Sequence, residues 1–377
     1  MMRGICYVTG SRADFGLFES TLQAISAEPG LSVAVAVTGM HLERDHGLTV
    51  RDVERSGLPI CARIESPELD GSGAGMAMAL ATMIRGFTST WQAERPHVVV
   101  VLGDRGEMLA GALAAAHLDI PVAHVHGGER SGTIDESLRH AISKLAHLHF
   151  VSTEASRIRL ERMGERPDRI WVTGAPGLDG LSELGDRCRD DLCAAAGLDP
   201  SRPIALFCHH PVLQDALRSA EEAEAALDVL GARGVQVLAL APNSDAGSLA
   251  IRRVLEGRAL RGEVVVVQHL NRRDFASWMA RADLIVGNSS AGIIEAATFG
   301  TPVVNIGDRQ KYRERNSNVF DVKGDMLTIN AGLERALSSG RVPPRNRFGD
   351  GRAAARIVEV LRTIDLDDDL TSKCNVY

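Results

Sequence analysis

Short runs of apolar, mostly β-branched residues alternate along this chain with longer amphipathic stretches. The apolar runs are continuous, which is typical of strands buried on both faces of a parallel sheet. They predict strands at residues 5–8, 32–37, 98–102, 122–125, 149–151, 170–173, 204–208, 235–240, 264–268, 284–286 and 302–305. Amphipathic patterns predict helices between them, for example at 106–117, 134–145, 274–280 and 291–299. The repeated strand–helix–strand order predicts an α/β fold.

The length of 377 residues suggests two domains, and the composition changes near residues 174–177. We therefore predict an N-terminal domain over 1–176, completed by a helix over 351–363, and a C-terminal domain over 177–350. The acidic tail, 364–377, is expected to be loose. Each domain would be a doubly wound, Rossmann-like parallel sheet, with strand ends facing a shared cleft where such folds bind ligands.

Charge and cysteine content narrow the possible partners. The formal net charge is −7 without a block of Lys or Arg, which argues against nucleic acid or a membrane surface as a partner. No apolar run is long enough for a membrane span or a secretion signal, so we expect neither. The six cysteines include no CxxC pair, and this pattern fits a reducing cytoplasm.

A candidate phosphate site follows the predicted strand at 284–286. The strand stops at Gly287 and passes through Asn288, Ser289 and Ser290 into a helix. Backbone N–H groups, serine hydroxyls and the helix dipole favour an anion there. Because no P-loop lysine is present, the site suits a diphosphate that is held without chemistry at phosphorus. Glu295 could accept hydrogen bonds from a ribose diol. The alternative is an ordinary turn with a serine helix cap.

Two loops of the first half carry further candidates. Arg12, after the first strand, could pair with a diphosphate, and Asp14 would cap the next helix. The loop lacks the spacing of a dinucleotide-binding motif. Asp104 follows the apolar strand at 98–102, where it is either functional or the N-cap of the following helix.

Histidines, paired glycines and acids crowd the segment 124–140. A metal site built from His124, His126 and Glu129 is one alternative, because alternate strand residues share a face. A second alternative is a purely structural histidine whose ring nitrogens are hydrogen-bonded within the core. We expect no metal, since the acids have clearer roles at a helix start.

The second half contributes a histidine and several cations. His210 precedes a proline that ends a strand, and it could donate to a phosphate or to a departing oxygen. Alternatively, it only contacts a loop carbonyl. Arg309, Lys311 and Arg313 follow the last strand beside the serine pair, where a solvated basic loop is the alternative.

Taken together, these loops resemble the hydrolysing UDP-N-acetylglucosamine 2-epimerases of sialic-acid and legionaminic-acid biosynthesis. The matching blocks are TGSRADFG (9–16), GDRGEM (103–108), HVHGGERSGTIDESLRHAISKLAHLHF (124–150), HHP (209–211), GNSSAGIIEA (287–296) and NIGDRQ (305–310). Their order and combination are specific, although no single block would be. The longest block is the most diagnostic.

The resemblance implies a GT-B fold with the nucleotide mostly against the C-terminal domain. It also implies a reaction in which a base removes the C2 proton of the sugar while UDP leaves C1, giving a 2-acetamidoglucal. Water then adds with the opposite configuration at C2, releasing UDP and an N-acetylmannosamine-type sugar. No metal or redox cofactor is implied, and relatives are commonly homodimers or homotetramers.

The resemblance also implies roles for individual residues. Asp104 and Asp135 would transfer protons, with Glu129 and Glu136 in support. Binding of the UDP-sugar would fall to Arg12, Arg105, His210, Gly287, Asn288, Ser289, Ser290, Glu295, Arg309, Gln310 and Arg313. The leaving diphosphate would thereby meet preorganised donors.

Two positions depart from the family pattern. Some sialic-acid members have an acid in an HIEGGE-type block where this chain has His126. The imidazole can take over as base or acid. The change can also signal another sugar, such as UDP-2,4-diacetamido-2,4,6-trideoxyglucose. Tyr312 stands where many members have glycine, and its ring could alter what fits at C4 or C6.

Three other functions remain as alternatives. A non-hydrolysing epimerase shares the fold but usually has an HVEAGLR-like block, where this chain has HVHGGER. A GT-B glycosyltransferase would need an acceptor pocket, for which the sequence offers no sign. A non-enzymatic nucleotide-sugar sensor is favoured only by the missing acid at position 126.

Overall fold

Thirteen strands and their helices make up the computed structural model, which describes residues 2–44, 47–66, 72–212, 216–242, 245 and 247–376. The strands are β1 Arg3–Thr9, β2 Leu31–Thr38, β3 Ile60–Ile64, β4 Val98–Leu102, β5 Val122–Val125, β6 Leu148–Val151, β7 Ile170–Val172, β8 Ile204–Cys208, β9 Gln236–Leu240, β10 Val265–Val267, β11 Leu284–Gly287, β12 Val303–Ile306 and β13 Val319–Val322.

The helices lie between the strands. They are α1 Arg12–Ala27, α2 Val50–Arg55, α3 Gly73–Ala93, α4 Gly106–His117, α5 Ile134–Leu145, α6 Glu154–Arg162, α7 Leu181–Leu184, α8 Arg189–Ala196, α9 Ala216–Ala232, α10 Ser248–Leu260, α11 Arg272–Arg281, α12 Ser290–Ile294, α13 Met326–Ser339, α14 Ala353–Thr363 and α15 Asp368–Thr371. Short 3₁₀ turns occur at Gly39–Leu42, Pro167–Arg169, Pro176–Leu178 and Ala296–Thr298.

The first unit is built on a seven-stranded parallel sheet of order β3-β2-β1-β4-β5-β6-β7. It comprises Met1–Glu129, Asp135–Asp179 and Phe348–Tyr377. The strand order reverses between β1 and β4, which is the switch point at which such sheets bind ligands. The loops after β1, β4, β5 and β6 therefore all start from the carboxyl edge of one sheet.

Successive residues of β1 face opposite sides of this sheet. Ile5 and Tyr7 pack with α1 and α14, whereas Cys6 and Val8 pack with α3 and α4. All five residues of β4 are buried. Burial on both faces explains why these strands appear in the sequence as unbroken apolar runs.

The second unit has a six-stranded parallel sheet of order β10-β9-β8-β11-β12-β13. It comprises Gly180–Arg347 together with the short segment Arg130–Ile134. The N–H of Gly132 in this segment donates to the carbonyl of Arg309 over 3.1 Å. The sequence prediction had included residues 130–134 in the first domain.

The predicted fold class, two Rossmann-like parallel sheets with flanking helices, is confirmed, and every predicted strand is present. Two strands, β3 and β13, were missed. Both are sheet edges, and their residues are mostly only half-buried. Their sequences therefore mix polar with apolar residues and lack the continuous apolar run used to find the others.

The C-terminal tail is anchored at Leu370 and Lys373, so the prediction of a loose tail is wrong at those residues; Tyr377 lies outside the described part of the chain. Leu370 is buried in the core of the first unit. The ammonium of Lys373 lies 2.7 Å from the carboxylate of Glu165. The acidic composition of the tail gave no indication of these contacts in the sequence. No helix in the described part of the chain has the length and apolarity required to cross a membrane.

Candidate functional site

The loop after β1 is organised by a capping box. Ser11 caps α1, and the Asp14 carboxylate accepts hydrogen bonds from the N–H groups of Ser11, at 2.7 Å, and Gly10, at 3.2 Å. Burial raises the pKa of Asp14. Arg12 lies in the first turn with its Nε 2.9 Å from an Asp52 oxygen. Arg12 would thus have to leave Asp52, or share it, in order to bind a diphosphate.

Asp104 lies two residues after the end of β4 and pairs with Arg139 of α5. The N-cap position of α4 is Arg105, so the alternative in which Asp104 caps that helix is wrong. Arg139 is 1% exposed, and its second terminal nitrogen donates to the Glu129 carbonyl over 3.2 Å. One buried guanidinium therefore ties the loop of Asp104 to the loop of Glu129.

His124 holds the same loop from β5. Its Nε2 lies 2.7 Å from the Gly103 carbonyl, and its Nδ1 lies 3.0 Å from the Ser143 hydroxyl. Burial lowers the pKa of His124 to about 3, so the ring is neutral. A carbonyl can only accept, which requires the proton on Nε2. His124 is thus a structural support for the turn that precedes Asp104.

The segment His126–Glu129 forms a tight turn at the end of β5. His126 has φ 65° and Gly128 has φ 71°, both in the left-handed region. A β-carbon at Gly128 would overlap the Ser156 carbonyl, which explains why glycine is needed there. The turn brings Nδ1 of His126 within 2.6 Å of Glu129 Oε1.

The remaining predicted acids lie at the start of α5. Asp135 and Glu136 are half-buried in its first turn, where negative charge is favoured. Glu136 lies 3.8 Å from the His140 ring. Four of the five predicted proton-transfer residues of the first unit therefore lie in the turn after β5 and in the first turn of α5. The fifth, Asp104, is tied to the same helix through Arg139.

Arg105 points back towards a buried carboxylate. Its guanidinium lies 3.2 Å from Glu107 Oε1. The Glu107 side chain fills the space that side chains at Gly10 and Gly39 would occupy. The loops after β1, β2 and β4 thus pack against one carboxylate.

The metal alternative finds no geometric support. In the described ranges, no group of three His, Cys, Asp or Glu side chains is arranged to hold an ion. The rings of His124 and His126 have different protein partners, as set out above.

In the second unit, the predicted phosphate turn begins at Gly287. Its φ is 135°, and a β-carbon there would overlap the Cys208 carbonyl at the end of β8. The Asn288 side chain accepts from the His210 N–H at 2.7 Å and donates to the His210 carbonyl at 2.9 Å. Asn288 thereby fixes the backbone that carries His210.

The helix predicted at 291–299 is shorter than expected. It consists of α12, Ser290–Ile294, followed by the 3₁₀ turn Ala296–Thr298. Ser289 caps it by accepting from the Ala291 N–H over 3.4 Å. Glu295, 4% exposed, pairs with Arg272 of α11.

The loop after β12 closes over this turn. Arg309 and Gln310 each donate to the Asn288 carbonyl at 3.1 Å. The N–H of Arg313 donates to the Gln310 carbonyl at 3.1 Å. Tyr312 is about half exposed, and the Arg130 guanidinium lies 4.4 Å from the centre of its ring.

The two neighbouring histidines after β8 differ in environment. His209 is 1% exposed, and burial lowers its pKa to about 3. His210 is half-buried. A neutral, enclosed His209 is unsuited to bind phosphate as a cation, and the role of His210 stays a prediction.

Sequence reasoning missed three residues of these clusters, namely Arg139, Arg272 and Ser152, whose hydroxyl donates to the Glu129 carboxylate over 2.8 Å. Arg139 shares the buried face of α5 with Ile142 and Ser143. A charged residue on the apolar stripe of an amphipathic helix was the available signal. Ser152 directly follows β6, a position that the strand-end rule used elsewhere could have identified.

Comparisons with known proteins agree with this architecture. A family model described as UDP-N-acetylglucosamine 2-epimerase matches residues 23–362. A UDP-N,N'-diacetylbacillosamine 2-epimerase (hydrolyzing) from Legionella pneumophila is 43% identical over the whole of both chains. A GDP/UDP-N,N'-diacetylbacillosamine 2-epimerase (hydrolyzing) from Campylobacter jejuni is 31% identical over 85% of this chain and 84% of its own.

A solved structure shares the fold. The crystal structure of UDP-GlcNAc 2-epimerase from Neisseria meningitidis bound to UDP-GlcNAc superimposes with a TM-score of 0.79 at 19% identity, covering 95% of this chain and 99% of that one. The family match and the full-length similarity lead to one conclusion: the chain belongs to the UDP-N-acetylglucosamine 2-epimerase family.

Proposed function

We propose that this protein is a hydrolysing 2-epimerase of UDP-linked 2-acetamido sugars. The observation that carries the proposal is the His126–Glu129 turn after β5, with Asp104 held nearby through Arg139. These are groups able to accept and return protons, at the edge of the sheet where parallel folds bind ligands.

The proposed reaction begins with removal of the C2 proton. The electron pair of the C2–H bond forms the C1=C2 double bond while the C1–O bond breaks and UDP leaves with its electrons. Water then adds its oxygen to C1, and C2 receives a proton on the face opposite to the one first deprotonated. The products are UDP and the C2 epimer of the free sugar. No electrons are gained or lost overall.

The second unit would meet the leaving diphosphate. The turn Gly287–Ser290, with Arg309 and His210, offers backbone N–H groups, hydroxyls and a cation for negative charge that develops on the phosphate oxygen. Glu295 would hold ribose hydroxyls beside Arg272.

For the sugar, we propose UDP-2,4-diacetamido-2,4,6-trideoxyglucose in preference to UDP-N-acetylglucosamine. The full-length relative at 43% identity bears the name of a diacetylbacillosamine epimerase. His126 and Tyr312, the two departures from the family pattern, lie in the two loops on which substituent recognition would depend.

The test is proton and phosphorus NMR of the purified protein in D2O with each UDP-sugar separately. Free UDP together with a C2-deuterated, epimerised free sugar is expected, with the diacetamido substrate turned over faster. An intact UDP-sugar epimerised at C2 would instead assign the protein to the non-hydrolysing type, and turnover of neither sugar would refute the proposal.

A further inference from the structure

We propose that Ser152 is a positioning residue for proton transfer and that, with Glu129, it fixes His126 in the tautomer that leaves Nε2 free to accept a proton. This inference rests on the proposed function and names the atom at which one of its steps occurs.

Three side chains form a closed triangle of hydrogen bonds. Nδ1 of His126 lies 2.6 Å from Glu129 Oε1 and 2.8 Å from Ser152 Oγ. The Ser152 hydroxyl donates to the same Glu129 oxygen over 2.8 Å. The three residues are 7%, 3% and 3% exposed, respectively, so water competes little for these bonds.

The triangle determines where the imidazole proton lies. A carboxylate oxygen can only accept, and it lies within hydrogen-bond distance of Nδ1. If Nδ1 carried a lone pair, two lone pairs would face each other at that distance. A proton on Nδ1 satisfies the contact, and Ser152 then directs its own proton to Glu129. In a neutral ring, Nε2 is consequently the nitrogen with the free lone pair.

The surroundings leave Nε2 available. Both hydrogen bonds that the described residues make to this ring fall on Nδ1, so Nε2 has no partner among them. The titratable group facing the ring from its own turn is Glu129. His124 approaches from β5, and it is neutral because burial lowers its pKa to about 3.

Neighbouring cations hold the turn by its backbone. Arg139 of α5 donates to the Glu129 carbonyl at 3.2 Å, and Arg159 of α6 donates to the Gly128 carbonyl at 2.5 Å. The turn is therefore anchored from two helices, which limits how far the Glu129 carboxylate can move away from the imidazole.

This arrangement suits the first step of the proposed reaction. As the C2–H bond breaks, its proton would bond to Nε2, and the resulting imidazolium would be stabilised by the Glu129 carboxylate at Nδ1. Ser152 would keep that carboxylate in line with the ring. Its role is exerted through Glu129 and His126, without contact with the reacting atoms.

The experiment combines nitrogen-15 NMR of the histidine rings with kinetics of the full-length protein. The His126 signals are assigned by comparison with His126→Gln. The expected spectrum shows a protonated Nδ1 and an unprotonated Nε2 in the wild type. A wild type with the proton on Nε2 would overturn the inference, whatever the activity.

For the kinetics, Ser152→Ala is compared with Ser156→Ala, a buried serine whose hydroxyl contacts Thr153 and Arg159 and not the His126 ring. Ser152→Ala should lower kcat about ten- to a hundredfold with little change in KM, the range expected for a lost hydrogen bond to a charged group. The acid limb of its kcat/KM profile should move to higher pH, because a carboxylate without the Ser152 donor attracts the Nδ1 proton more strongly. Ser152→Thr, which keeps the hydroxyl, should recover most of the loss.

Equal rates and equal pH profiles for Ser152→Ala and Ser156→Ala would overturn the positioning role. A wild type that turns over neither sugar would refute the proposed function, and the ring tautomer would still decide the inference by itself.

Discussion

Replacing Arg139 by methionine tests whether one buried guanidinium supports both stability and catalysis. The side chain is 1% exposed, donates to the Glu129 carbonyl at 3.2 Å and pairs with Asp104, whose side chain is 24% exposed. Methionine fills a similar volume without charge. The Glu129 carbonyl then loses a buried donor, whereas Asp104 can be partly rehydrated.

The size of the destabilisation follows from the loss of the donor to the Glu129 carbonyl and of the ion pair with Asp104. An unsatisfied buried carbonyl costs about 1–3 kcal/mol. Loss of the partly exposed ion pair with Asp104 adds about 1 kcal/mol to the destabilisation. Part of this total is offset because the buried guanidinium no longer has to be desolvated on folding. We expect the free energy of unfolding of the first unit to fall by about 2–3 kcal/mol. Loss of the orientation of Asp104 should lower kcat about a hundredfold, the effect of a displacement of about 1 Å.

The assay uses a Trp278→Phe background. Of the three tryptophans, Trp91 and Trp171 lie in the first unit and Trp278 in the second, so fluorescence in urea then reports the first unit. Turnover is followed as UDP release. Arg258→Met is the matched control, because Arg258 is also a buried cation paired with carboxylates, those of Glu224, Asp228 and Glu263 in the second unit.

The control should lose stability in the second unit and keep its kcat. If Arg139→Met retained wild-type kcat while Asp104→Asn abolished turnover, the idea that Arg139 orients Asp104 would be refuted. If the first unit lost no stability, the buried pair would contribute nothing net to folding, as happens for some buried ion pairs.

Three further predictions concern the tail, the phosphate turn and its support. Although burial alone would raise it, hydrogen bonds and charges from His149, Lys144 and Lys373 lower the pKa of Glu165 to about 2. The folded pKa lies below the unfolded one, so the stabilisation by Glu165 is complete above about pH 4.5 and is lost as the pH falls towards 2. Lys373→Ala should therefore make the urea midpoint of unfolding depend less on pH between pH 5 and pH 3. Gly287→Ala should abolish UDP binding in calorimetry, whereas Gly231→Ala, in helix α9 where a β-carbon meets nothing within 4 Å, should leave binding unchanged and should not lower stability. Asn288→Ala should weaken UDP binding about tenfold through the lost hold on the backbone of His210, and unchanged affinity would contradict that role.

The sequence was sufficient to predict the strands in the middle of each sheet. A run such as Val98–Leu102 has one physical interpretation once it is bounded by polar turns, because only burial on both faces favours five apolar residues in succession. The edge strands β3 and β13 were missed for the converse reason, whereas the edge strands β7 and β10 have apolar runs and were predicted. Ile60–Ile64 is mostly half-buried and carries a charged residue, so it looks like a loop in the sequence.

The candidate site was predictable to the extent that its residues follow strands. Asp104 comes two residues after β4, whereas His126 and Asn288 come directly after β5 and β11, and within each sheet the order of strands decides which loops are neighbours. Their partners were harder to predict. Arg139 lies 35 positions from Asp104, and Ser152 lies 26 positions from His126. Pairings at such separations depend on the register of β5 against β6 and on the rotation of α5, which no local pattern encodes.

Under the proposed function, the turn at His126 would allow a departure from the family pattern to preserve the chemistry. Its geometry brings the side chains at positions 126 and 129 within 2.6 Å of each other. If an acid at 126, as in an HIEGGE-type block, brought its carboxylate equally close to Glu129, one of the two groups would have to keep a proton, because like charges so close cannot both ionise. With His126, the same contact can join an Nδ1–H donor to the Glu129 carboxylate, which is the arrangement proposed above. On this proposal, the replacement would change which atom holds the proton before the reaction and would leave in place a pair of groups able to accept and return it.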